Sequence, residues 1–91
     1  MDNTFSSYKI DDRSLIPFIK REIHNLAIQL GFTPHRAAET DIIVAELTSN
    51  LIKFAKGGEL LYRAHLVAEQ SAIEIYCLDK GIGFELSLIH I

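Results

Sequence analysis

The chain has 91 residues, with 9 Lys and Arg against 12 Asp and Glu, for a formal net charge of −3. This length suits one small domain, and the near-balanced charge, with no basic patch, argues against nucleic acid as a partner. A hydrophobic content of 48% supplies a core and excludes a disordered composition.

No apolar run approaches the roughly 18 residues of a membrane span. Residues 1–6 lack the basic stretch and apolar core of a signal peptide. The single Cys77 excludes an internal disulfide and suits a reducing cytoplasm. His24, His35, His65 and His90 are scattered without ligand spacing, so no structural zinc site is expected.

In chain order, weak alternation over residues 4–10 predicts a short strand with Tyr8 and Ile10 on one face. Asp11 and Asp12 follow as turn residues and candidate caps. Leu15, Phe18, Ile19, Ile23, Leu26, Ala27 and Leu30 recur at spacings of three and four, predicting an amphipathic helix with Lys20, Arg21, His24 and Asn25 outward. Pro17 falls in its first turn, where the missing amide costs nothing. Gly31 ends the helix in the left-handed position. Thr33 and Pro34 restart a helix as cap and first residue, which runs to about Ala55 and stops at Lys56-Gly57-Gly58.

Residues 59–67 alternate, residues 68–71 read as a turn, and residues 72–78 read as a second strand with Ile73, Ile75 and Cys77 on one face. Asp79-Lys-Gly81-Ile-Gly83-Phe84 then forms a glycine loop, and little structure is expected in residues 85–91. The expected fold class is α+β: a two-layer sandwich of helices on an antiparallel or mixed sheet, in the order β-α-α-β-β.

The second helix carries the chemistry. Residues 41–55 are apolar on nearly every side, with Ile43, Val44, Leu47 and Leu51 on one arc and Ile42, Ala45 and Ile52 on the far side. Such a helix is expected to be buried. Yet Glu46 and Asn50 lie four residues apart, about 40° from one another. Buried polar groups need partners or a chemical role.

The plain reading is a polar edge on a core helix, and E-x-x-x-N alone is common. The functional reading makes the Asn50 carboxamide oxygen a hard ligand for Mg²⁺ and Glu46 a base that deprotonates a nucleophile. Glu39 and Lys53 share the sector and read better as a solvated edge. Asp79-x-Gly81-x-Gly83 reads plainly as a turn. Functionally, the Asp79 carboxylate would accept from an amino group such as that of adenine, and the glycines would let backbone pass close to a flat ligand. No phosphate-binding P-loop or dinucleotide fingerprint is present. Cys77 reads as a small buried hydrophobe, and Tyr62 and Tyr76 as sheet packing.

Together and in this order, the Glu46-x-x-x-Asn50 helix and Asp79-x-Gly81-x-Gly83 resemble the first two nucleotide-site motifs of the GHKL (Bergerat-fold) ATPase superfamily. The stretches 44–55 and 75–83 resemble its bacterial branch of anti-sigma-factor and switch-protein serine kinases. The resemblance spans residues 5–84 and implies a cytoplasmic, ATP-binding regulator of transcription that uses Mg-ATP. It would phosphorylate a partner of the anti-sigma-factor-antagonist type on serine. It further implies Asn50 as the Mg²⁺ ligand, Glu46 as the general base, Asp79 on the adenine amine, and Gly81 and Gly83 beside the base. Phe54 stands where relatives carry a nucleotide-adjacent histidine or tyrosine. Other relatives bind a sigma factor or work beside a serine phosphatase.

The family continues with an ATP lid and a second glycine motif, neither of which is found after Phe84. Residues 1–91 thus read as the N-terminal part of one incomplete histidine-kinase-like ATPase domain. Weak nucleotide binding, no turnover, and homodimerisation or other self-association through exposed strand and helix faces are expected. The alternative is a non-catalytic interaction module or an inactive fragment of the same family.

Overall fold

A computed structural model describes residues 5–54, 58–67, 70–79 and 85–90. Two helices pack on one face of a four-stranded sheet in the strand order β1-β2-β3-β4, with every pairing antiparallel. The α+β two-layer class is therefore the observed one, and the sheet has no parallel pair among the described residues.

β1 is Ser6–Ile10, and Thr4 lies outside the described residues. The Asp12 carboxylate accepts from the Ser14 amide at 2.7 Å and caps a short 3-10 turn, Arg13–Leu15. α1, Ile16–Gln29, follows with Pro17 in its first turn. Its buried residues are Ile19, Ile23 and Ala27, while Phe18 and Leu15 stay 49% and 39% exposed.

The chain leaves α1 through a Schellman motif. The Phe32 amide donates to Ala27 and the Gly31 amide to Ile28, each at 3.0 Å, with Gly31 at φ +89° as expected. Thr33 then accepts from the Arg36 amide through its hydroxyl at 3.1 Å, an N-cap of the kind that contributes about 1 kcal/mol. α2, Pro34–Phe54, begins there.

The expectation that α2 is buried nearly all round is overturned. Its buried stripe is Ala37, Thr40, Val44, Thr48 and Leu51, at spacings of three and four. Ile42, placed with the apolar far side, is 64% exposed. The reason is the two-layer architecture: α1 flanks α2 and the sheet lies beneath, so no described element covers its outer side. Thr40 and Thr48 are fully buried but satisfied, donating to the carbonyls of Arg36 at 2.9 Å and Val44 at 2.8 Å.

β2, Gly58–Val67, and β3, Gln70–Asp79, form a long hairpin. Gln70 and Ser71 belong to β3 rather than to the expected turn. Leu60, Tyr62 and Ala64 alternate with half-buried neighbours, whereas residues 72–75 of β3 are buried in succession, and Ile73, Ile75 and Cys77 share the core with the helices. On the opposite face Arg63 donates to the nearly buried Glu74 across the hairpin at 2.9 Å and lies 4.5 Å over the Phe5 ring. A fourth strand, β4 (Glu85–His90), pairs with β3. This corrects the expectation of little structure there: an open β3 edge offers a row of unpaired backbone groups that an alternating segment satisfies. Among the described residues, no helix is long and apolar enough to cross a membrane.

Candidate functional site

Glu46 and Asn50 both sit on the solvent side of α2 and are exposed. At 100° per residue Glu46 lies nearly opposite the buried stripe, and Asn50 on its flank. Neither makes a hydrogen bond or ion pair within the described part of the molecule. Their polarity therefore needs no buried partner, and both side chains are free to meet a ligand. Glu39 is exposed and lies 3.7 Å from His35, an edge pair as expected. Lys53 closes the same sector in the last turn of α2.

The second half of the candidate site lies at one end of the hairpin. Gly58 opens β2 and is the cross-strand partner of Asp79, which closes β3. A methyl group on Gly58 would sit 2.9 Å from Leu51 Cδ2 and would also collide with the Leu78 carbonyl. Leu51 therefore packs directly on the rung that ends in Asp79. Asn50 is the residue before Leu51, so the fold brings the Asn50 turn of α2 and the Asp79 end of β3 to the same end of the molecule. Phe54 is the last residue of α2. Gly81 and Gly83 lie outside the described residues.

Glu46 also borders a depression of about 300 Å³ between α1 and α2, together with Lys20, Asp41, Ile42, Ala45 and Ser49. Lys20 and His24 were expected to face outward on α1, but both are half-buried on its α2 side. His24 Nδ1 lies 3.0 and 3.1 Å from the two Asp41 carboxylate oxygens. An ionised carboxylate only accepts, so Nδ1 carries the proton in this pair. Arg13 reaches Ser49 Oγ at a long 3.4 Å.

A second polar cluster went unnoticed in the sequence. Glu22 on α1 accepts from both Tyr8 and Tyr62, one phenol on each carboxylate oxygen. The two rings stack at 6.3 Å with 9° between their planes. Burial, followed by the Glu22 hydrogen bonds and charge, pushes both phenols above their usual 10.0. Glu22 lies one position before the buried Ile23, and that placement beside an apolar stripe was the available signal. Tyr62 is 4% exposed and Cys77 1%, both packing residues as expected.

No protein-family model, curated protein or solved structure matches the chain.

Proposed function

We propose that this chain is an ATP-binding regulatory protein of the GHKL type, acting in the cytoplasm on a partner of the anti-sigma-factor-antagonist or sigma-factor class. A single observation carries the reading. Leu51 packs on the Gly58–Asp79 rung, which brings the Asn50 turn of α2 and the Asp79 end of β3 to the same end of the molecule. Asn50, exposed and without a hydrogen-bond partner among the described residues, fits Mg²⁺ as a neutral hard-oxygen donor, since Mg²⁺ takes few protein ligands and keeps several waters. Bound Mg²⁺ would supply charge neutralisation on the nucleotide phosphates.

The other roles belong to the chain's own groups. Asp79 accepts from the adenine amine, Gly81 and Gly83 let the loop approach the base, and Phe54 flanks the nucleotide. Glu46 takes the proton from a partner serine. A serine phosphatase that reverses the modification and a second copy of the chain complete the expected partner set.

The test is calorimetric titration of the chain with Mg-ATP. Asn50→Ala and Asp79→Ala are each expected to weaken binding at least about tenfold, the loss of one charge-assisted or metal-linked contact. No binding by the parent chain, or unchanged binding in both variants, overturns the reading. A second reading, a nucleotide-independent interaction module, draws on the exposed apolar side chains Leu15, Phe18, Ile28 and Ile42. Partner binding that ignores Mg-ATP would favour it.

A further inference from the structure

We infer that the outer face of α1 and α2 seats a second copy of this chain, docked about a two-fold axis that runs along the groove between the two helices. A second copy already stands among the proposed partners. What is new is the face it uses, and this holds whether or not the chain binds nucleotide.

Shape, exposed apolar surface and charge coincide on this face. A depression of about 300 Å³ lies open on it, bordered by Lys20 of α1 and by Asp41, Ile42, Ala45, Glu46 and Ser49 of α2. Ile42 on its rim is 64% exposed, and Ile28, about two turns along α1 from Lys20, is 47% exposed. A lone exposed apolar side chain is ordinary; two of them beside an open hollow make a patch of the kind that marks an interface. Lys20 borders the hollow from the α1 side and Glu46 from the α2 side. Neither makes a hydrogen bond or ion pair among the described residues. Asp41, the other carboxylate, is held within the chain by His24 through both of its oxygens. The face therefore offers a cation and an anion at the same height on opposite helices.

That arrangement is self-complementary. α1 and α2 run antiparallel, as the His24–Asp41 and Arg13–Ser49 contacts show. A two-fold axis parallel to them keeps heights along the helices and exchanges left with right, so α1 of each copy lies over α2 of the other. Lys20 then meets Glu46 of the second copy, and Glu46 meets Lys20 of the second copy, in an isologous contact. An axis across the helices would set α1 on α1 and α2 on α2 and leave both charges without an opposite. Ala45 is small and lets the helices approach over the hollow, while the two Ile42 side chains stand at one height on either side of the axis. A foreign partner must bring a matching cation and anion in this geometry; the chain itself already carries them.

The contact is one helix pair on another and belongs to the small, exchanging class of interfaces. Glu46, the base in the reading above, is covered in the dimer, so the separated chain is the form that meets a partner protein.

Sedimentation equilibrium of the full chain without nucleotide provides the test, with circular dichroism as the check on folding. The parent is expected to dimerise with micromolar affinity. Lys20→Glu and Glu46→Lys each set like charges across the axis twice, and each should weaken dimerisation at least about tenfold. An equimolar mixture of the two variants should recover the dimer, because every cross-axis contact in the mixed pair is again of opposite sign. Ile42→Asp, at an exposed position, should leave a folded monomer.

A parent chain that stays monomeric up to millimolar concentration, a dimer indifferent to both charge reversals, or a mixture that fails to re-form it overturns the inference. Dimerisation without Mg-ATP binding removes the nucleotide reading alone. Mg-ATP binding by a chain that stays monomeric removes this interface alone.

Discussion

Gly58→Val is expected to destabilise the fold by about 3 kcal/mol, the upper end of overpacking costs. The first carbon of any side chain there meets the Leu78 carbonyl on one side and Leu51 Cδ2, at 2.9 Å, on the other. Leucine can shift its rotamer; a paired strand carbonyl cannot move without opening the β2–β3 ladder. Gly31→Ala supplies the contrast. Gly31 has φ +89° but nothing within 4 Å of the added carbon, so only backbone strain is introduced, about 1 kcal/mol. Urea denaturation of the two variants followed by circular dichroism checks the order. Equal midpoints would mean that Leu51 does not press on the hairpin, and the juxtaposition of Asn50 with Asp79 would lose its support.

The Glu22 cluster predicts a second large effect. Glu22→Leu leaves the Tyr8 and Tyr62 hydroxyls without their acceptor, and Tyr62 is only 4% exposed. Leaving a buried donor unsatisfied costs about 1–3 kcal/mol, so a loss of about 2 kcal/mol is expected, with Tyr62→Phe recovering part of it in the double variant. The cluster also sets an alkaline limit. Both phenols titrate higher in the folded chain than their ordinary 10.0, so the unfolded chain loses these protons first. The stabilisation is complete below pH of about 10 and falls as pH rises beyond it. Thermal melts between pH 8 and 11 should show the parent losing stability more steeply than Glu22→Leu. Parallel curves would sink the assignment.

Local patterns in this chain were readable, and pairings across the chain were not. Both helices, their proline starts, the Gly31 exit and the hairpin faces follow from spacings of three, four and two and from turn chemistry. All of these are decided within a few residues. β4 was missed because the alternation in residues 85–90 means little without a partner edge, and that edge is β3. The burial of α2 was overstated because composition cannot say which flank a two-layer fold leaves open. Ile42 and Val44 look equivalent in sequence, and one is 64% exposed and the other 0%. Lys20 was read as an outward helix charge, and Glu22 drew no reading, because the phenols that claim it lie on other elements.

For the candidate site, the helix motif was legible residue by residue, and the structure added its proximity to the strand end. The hollow beside Glu46 was not legible, because it needs Lys20 of α1 set against the outer side of α2.

The strand order has a consequence for how the chain assembles. β2 and β3 are neighbours in sequence, so their ladder closes a short loop and pairs early. β1 joins the same sheet only by closing a loop that contains both helices, through the Ile10–Gly58 end of its ladder with β2. The first strand of the chain is therefore expected to dock last in folding and to open first under native conditions. Hydrogen exchange should find the amides of β1 less protected than those of β2 and β3.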